Sequence, residues 1–137
     1  MSSDPKYIGP GYWTAWHIKS LHADDKNKKS EVARSIVVDI IYFPCMNCRN
    51  HAKDYVRKNP LMEAIKKDDP LSLFIWTVNF HNFVNMRLGK TMINWQQAKK
   101  LWSGENVCFE NCGMDEEEKG EEEKGEEEKG EMMIKNY

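Results

Sequence analysis

The stretch "KKDDPLSLFIWTVNFHNFVNMRLGK", residues 66–90, decides how the rest of the chain is read. Leu73, Trp76, Phe80, Val84 and Leu88 recur at three- and four-residue intervals, the spacing of one face of an α-helix. Asp69 is a suitable N-cap, Pro70 suits a first helical position where its missing N–H costs nothing, and Gly89 marks the stop. A helix this apolar needs other helices to cover it, and the segments on either side have the pattern to do so.

After Pro10-Gly11, "YWTAWHIKSLHA" (12–23) sets Trp13, Trp16, His17 and Leu21 on one helical face. In "NKKSEVARSIVVDIIYF" (27–43), Val32, Ile36, Ile40 and Phe43 form a stripe with Ala33, Val37 and Ile41 beside it, and Ser30 is the expected N-cap. The β-branched residues would also suit a strand, but Arg34, Ser35 and Asp39 fall on the helical polar side and the segment is long for a strand. Pro44 suits a break after this helix or the first turn of the next. A third helix is predicted from Cys45 through Met46, Cys48, Ala52, Tyr55 and Val56, ending near Asn59-Pro60. "INWQQAKKLWSG" (93–104) predicts a short closing helix with a stop at Gly104. The expected fold is all-α: a four-helix bundle with a short fifth helix, whose thin core would gain from a bound ligand or a dimer partner.

Length and charge narrow the function. A chain of 137 residues holds one modest core. Residues 1–114 carry 16 Lys and Arg against 11 Asp and Glu, while residues 115–137 carry 4 against 11. That last segment repeats the pentad EEEKG three times over 116–130. It lacks the apolar surface that would offset ordering, so it is expected to be a disordered acidic tail with no part in catalysis. The basic residues of the body are scattered, which argues against nucleic-acid binding. No run approaches the roughly 18 apolar residues of a transmembrane segment, and the N-terminus "MSSDPKYIGP" has no secretory hydrophobic stretch.

The four cysteines carry the chemistry: Cys45 and Cys48 in "YFPCMNCRNH" (42–51), Cys108 and Cys112 in "NVCFENCG" (106–113). Together they would suit a tetrahedral zinc, though long amphipathic helices already provide a core that a structural zinc usually replaces. The first pair reads otherwise as an electron-handling dithiol. At a helix N-terminus, unpaired N–H groups and the helix dipole stabilise a thiolate, and a second cysteine three residues on can resolve a mixed disulfide. Spacing alone does not say whether the electrons go to a protein disulfide, a metal or an organic acceptor.

Set in order, "GPGYWTAWH" (9–17), "YFPCMNC" (42–48) and "HNFVNMRLGK" (81–90) resemble the Erv/ALR family of FAD-linked sulfhydryl oxidases, most closely its short members encoded by large nucleocytoplasmic DNA viruses. The family pattern has a glycine four residues before Trp, then Trp-x-x-Leu-His, then Tyr-Pro-Cys-x-x-Cys. A Trp five residues before His-Asn-x-Val-Asn-x-x-Leu-Gly-Lys follows, and a late Trp closes it. The matching residues are Gly9, Trp13, His17, Pro44, Cys45, Cys48, Trp76, His81, Asn82, Val84, Asn85, Leu88, Gly89, Lys90 and Trp102. Trp16, Phe43, Pro10, Thr91 and Ile93 stand where the family commonly has Leu, Tyr, Arg, Pro and Phe. The C-x16-C pair of many cellular members is absent.

The resemblance implies FAD held within the bundle and a redox-active Cys45–Cys48 disulfide beside the flavin, Cys45 outermost and Cys48 nearest the ring. Protein dithiols would be oxidised to disulfides and oxygen reduced to hydrogen peroxide. The implied cofactor-side residues are Gly9, Trp13, His17, Trp76, His81, Asn82, Val84, Asn85, Leu88, Lys90, Ile93 and Trp102, with no metal. Taken singly, each Trp suits a core, His81 a hydrogen-bonded core or surface site, and Asn82 or Asn85 a helix surface; only the matched set points to a cofactor. His22 and His51 fall outside the motif. Further expectations are a shuttle disulfide from Cys108 and Cys112, with a structural bond as the alternative, and a homodimer through helices one and two. A thioredoxin-like relay or virion protein is the expected partner. The expected place is the host cytoplasm at virus assembly sites and the virion, ahead of the mitochondrial intermembrane space. Residues 1–7 would be an extension, 8–104 the oxidase domain, 105–114 the segment with the second cysteine pair and 115–137 the tail. The other functions open to this chain are a zinc-stabilised binding module and a flavin-free thiol-disulfide exchange protein.

Overall fold

A computed structural model describes residues 5–103 and Tyr137. Among them are six α-helices: α1 Pro5–His22, α2 Lys26–Ile41, α3 Met46–Lys58, α4 Leu61–Lys66, α5 Ser72–Leu88 and α6 Trp95–Trp102. The all-α expectation holds, but the expected four helices and a short fifth are one too few. The helix left out is α4, a single six-residue element after Pro60 that buries Leu61 and Ala64. Six residues are too few for periodicity to register.

Two compact units make up the chain, Met1–His81 and Asn82–Tyr137. In the first, α2 packs against α1, α3 and α4. The buried stripe of α2 is Lys29, Ala33, Ile36 and Ile40, so the expected apolar stripe is anchored at its N-terminal end by a lysine. The Lys29 ammonium donates to the carbonyls of Lys67 (2.8 Å) and Asp69 (2.7 Å), tying α2 to the loop ahead of α5. This explains where α2 starts. Asp25, not Ser30, is its N-cap, with the carboxylate accepting from Lys28 N–H, and only a helix begun before residue 29 aims that side chain inward. The first helix also starts earlier than expected, at Pro5, and runs through Pro10. Pro10, itself exposed, removes one helical hydrogen bond.

The N-terminal half of α5 is buried almost all round: Leu73, Phe74, Trp76, Thr77, Val78 and Phe80 are all buried. The expected single stripe describes this helix only in part, and at its far end Leu88 is 55% exposed. Asp69 caps the turn before it, its carboxylate accepting from Leu71 N–H at 2.9 Å, while the regular helix begins at Ser72.

In the second unit the end of α5 closes with a Schellman motif. Lys90 N–H bonds to Asn85 C=O at 2.8 Å and Gly89 N–H to Met86 C=O at 3.3 Å, with Gly89 at φ 70°. The closing helix α6 has a full capping box, Asn94 accepting from Gln97 N–H and Gln97 accepting from Asn94 N–H. Its buried face is Ala98, Leu101 and Trp102.

Candidate active site

The loop after α2 delivers Cys45 as the N-cap of α3, in extended backbone, with its sulfur accepting from Cys48 N–H at 3.2 Å. A cap position leaves the first N–H groups of the helix without backbone partners, and here a sulfur takes the role that oxygen usually fills. The Cys48 thiol is the strongest influence holding the Cys45 thiol below its ordinary range, followed by the N–H of Cys48; the N–H of Asn47 and the charge of Arg49 add to it. Cys45 and Cys48 stand as thiols and are half-buried. Tyr42 and Met46 around them are 78% and 65% exposed. The chemistry available at this site is therefore a stabilised thiolate with a neighbouring thiol, open to an incoming sulfur.

Behind the motif lies a row of rings. Phe43, two residues before Cys45, meets the edge of Tyr12 at 5.2 Å; Tyr12 lies 5.8 Å from Trp16, and Trp16 5.1 Å from Trp13. Trp13 stacks on His81 at 4.1 Å between centroids and 2° between planes. His17 is completely buried and its Nε2 lies 2.8 Å from His81 Nδ1, while its Nδ1 lies 3.1 Å from Thr77 Oγ1. Burial alone lowers the His17 pKa to about 3, so the ring is neutral at physiological pH. Two buried imidazoles beneath a half-buried indole form a flat aromatic surface with polar atoms at its edge.

The Erv1 / Alr family profile matches residues 10–103. The chain belongs to the Erv1 / Alr family. Its similarity to a FAD-linked sulfhydryl oxidase of African swine fever virus is 37% identity over 97 residues, 69% of this chain and 78% of the relative. A relative from Invertebrate iridescent virus 3 is 34% identical over 115 residues, 80% of this chain and 73% of its own length. The Arabidopsis thaliana FAD-linked sulfhydryl oxidase ERV1 is 24% identical over 98 residues, 69% of this chain and 49% of the plant protein.

Of the sequence-assigned residues of this family member, Trp13, His17 and His81 form one contact group in the first unit. Trp76 is a buried wall: its indole N–H donates to Asn59 C=O at 2.9 Å, closing the end of α3, and its ring packs on Tyr55 and Phe80. Gly9 is half-buried in α1, and a Cβ there would meet nothing within 4 Å. In the second unit, Asn82 grips the backbone of Ile93 from both sides, Nδ2 donating to the carbonyl at 2.6 Å and Oδ1 accepting from N–H at 3.2 Å. Buried Asn85 donates through Nδ2 to the carbonyls of Thr91 and Tyr137, both at 2.9 Å. These two asparagines thus shape the 89–94 loop. Ile93 and Trp102 are buried, Val84 is half-buried, and Leu88 and Lys90 are exposed. Cys108 and Cys112 lie outside the described residues, as does the acidic tail.

Sequence reading missed Thr77, Tyr12, Phe80 and Asp39. Asp39 falls on the polar side of α2 by spacing, yet its carboxylate accepts from the Trp16 indole N–H at 2.8 Å. Thr77 had one signal: it precedes His81 by four residues and so shares its helical face. Among the described residues no three His, Cys, Asp or Glu side chains gather as a metal site, and no helix is long and apolar enough to cross a membrane.

Proposed function

We infer that this protein is an FAD-linked sulfhydryl oxidase that converts protein dithiols to disulfides. The observation that carries the reading is the capping geometry of Cys45 in a member of this family. With the pair oxidised, a substrate thiolate attacks Cys45 Sγ, the Cys45–Cys48 bond breaks and Cys48 leaves as thiolate. The second substrate thiol then attacks the substrate sulfur of the mixed disulfide and expels Cys45. The backbone N–H groups of Cys48 and Asn47 that help to lower the Cys45 pKa also make it a good leaving group in that step. The substrate departs as a disulfide, and the enzyme holds two electrons as the Cys45/Cys48 dithiol.

FAD, when bound, supplies the acceptor for those two electrons and returns them to oxygen as hydrogen peroxide. The first unit suits that cofactor, with a flat aromatic surface from Trp13 and a neutral His17 imidazole for an uncharged ring system and its hydroxyls. His17, His81, Asn82, Asn85 and Lys90 would hold it within the helical bundle, with Gly9, Val84, Leu88 and Ile93 along it and Trp13, Trp76 and Trp102 as walls. Cys45 would face the incoming thiol and Cys48 the flavin.

Cys108 and Cys112 would pass electrons from substrate to the Cys45–Cys48 pair. A homodimer through α1 and α2 would cover Val38, Ile41 and Tyr42, apolar residues exposed at the end of α2. The relatives in African swine fever virus and an iridescent virus support a place in the host cytoplasm at virus assembly sites and in the virion, with a thioredoxin-like relay or a virion protein as substrate.

Oxygen consumption with a small dithiol and with a reduced protein tests these roles. Cys45→Ser and Cys48→Ser should each abolish turnover on both. The double variant Cys108→Ser/Cys112→Ser should lose activity on the protein substrate only; equal retention on both would remove the shuttle assignment.

A further inference from the structure

Trp16 joins the rings of the first unit. It is buried, and its ring lies 5.8 Å from Tyr12, 5.1 Å from Trp13 at 86° between planes, and 6.1 Å from Phe80 at 14°. Tyr12 in turn meets Phe43, just ahead of Cys45. An indole carries a single N–H, which needs an acceptor once the ring is buried. Here the acceptor is Asp39 Oδ2 of α2, at 2.8 Å. None of the ion pairs among the described residues includes Asp39, so its carboxylate serves the indole and not a cation. A carboxylate makes this bond stronger than a neutral acceptor would, and it fixes which edge of the Trp16 ring faces α2. With that edge fixed, the surfaces that meet Tyr12, Trp13 and Phe80 are fixed too.

We propose that Asp39 is a positioning residue that acts through Trp16 to hold the Trp13 ring parallel to His81, as the aromatic wall against which FAD packs. The role toward FAD rests on the oxidase reading; the coupling of Asp39 to Trp13 rests on the contacts of Asp39, Trp16 and Trp13 alone. Trp13 stacks on His81 with 2° between planes, and Trp16 and Phe80 meet it at steep angles, 5.1 Å from each. Trp13 is only half-buried, so these few neighbours set its plane. Without the Asp39 carboxylate the buried Trp16 N–H loses its acceptor, and the indole turns about its Cβ–Cγ bond to find another. Trp13 then loses the wall at its side and tilts away from His81. Leucine, which the family commonly has in place of Trp16, carries no N–H and would make no use of Asp39. The pair is therefore a feature of this chain's own version of the site.

Proton–nitrogen NMR of the indole N–H groups in the full-length protein, together with titration by FAD, reads both steps. The Trp13 signal lies in the ring current of Trp16. Asp39→Leu should move the Trp16 and Trp13 signals together and weaken FAD binding about fivefold. Asp39→Asn keeps an oxygen acceptor, so it should leave the Trp13 signal in place and FAD binding within about twofold of wild type. Trp16→Phe, which also serves if the leucine variant folds poorly, should weaken FAD binding as Asp39→Leu does, and adding Asp39→Leu to it should change nothing further. An unmoved Trp13 signal in Asp39→Leu, or equal losses for the asparagine and leucine variants, would overturn the proposal. A lower melting temperature with unchanged FAD affinity would overturn the role toward the cofactor. Failure of every form, wild type included, to bind FAD would instead overturn the oxidase reading, while the indole signals would still report the coupling of Asp39 to Trp13.

Discussion

The N–H of Cys48 points at the sulfur of Cys45 across 3.2 Å, so the first turn of α3 is closed by a thiol that the same turn activates. Structure and reactivity are the same interaction here. In the reduced protein, the rate of Cys45 alkylation by iodoacetamide should rise with pH through a midpoint below the ordinary thiol range, because its pKa is lowered. Cys48→Ala removes the leading cause but leaves the backbone N–H groups. It should move the midpoint upward and slow alkylation at pH 6 several-fold. Mass spectrometry of the labelled peptide gives the profile; an unshifted midpoint would leave the helix terminus as the whole cause.

His17 makes stability depend on acid. Its pKa falls from 6.5 unfolded to about 3 folded, so the unfolded chain binds the extra proton throughout that interval. Stability is complete above pH 6.5 and declines as pH drops toward 3, with a limiting slope of about 1.4 kcal/mol per pH unit for one proton. Urea unfolding at pH 7, 5.5 and 4.5 measures it. The midpoint should fall steadily, and His17→Gln, which cannot titrate, should lie on a flatter line.

Lys29→Met, which keeps an unbranched apolar stem one atom shorter and drops the ammonium, should destabilise the protein by about 2–3 kcal/mol. The methionine leaves the carbonyls of Lys67 and Asp69 without their buried donor. A midpoint shift in urea at unchanged slope would report this. A shift under 0.5 kcal/mol, roughly that of a surface position, would mean that water replaces the ammonium.

At Gly89 only the backbone matters. Its φ of 70° lies in the left-handed region, and a Cβ there would meet nothing within 4 Å. Gly89→Ala should cost about 1 kcal/mol and Gly89→Asn less, since asparagine tolerates that conformation. Equal losses for the two would point to a packing role instead.

Much of this was legible in the sequence because the long helices obey one period. Helix α3 came out with its ends in place because Pro44 and Asn59-Pro60 are strong local signals. The start of α2 did not, since Ser30 is a plausible cap and nothing local says that Lys29 is buried; two carbonyls some 38 and 40 residues away decide it. In the site, motif order brought out Cys45, Cys48, His17 and His81. Thr77 stayed hidden because a threonine amid apolar residues is ordinary in a helix, and its contact with His17 joins residues 60 apart in the chain. Asn82 and Asn85 were legible as site residues, but their grip on the 89–94 loop depends on backbone groups that carry no side-chain signature.

Anaerobic spectroscopy of the purified protein tests the central claim most directly. The protein should carry flavin absorption that a dithiol bleaches without air and oxygen restores, with hydrogen peroxide formed. Cys45→Ser and Cys48→Ser should keep the flavin yet resist bleaching. A colourless protein that gains no flavin when FAD is added, or one bleached equally well without either cysteine, would contradict it.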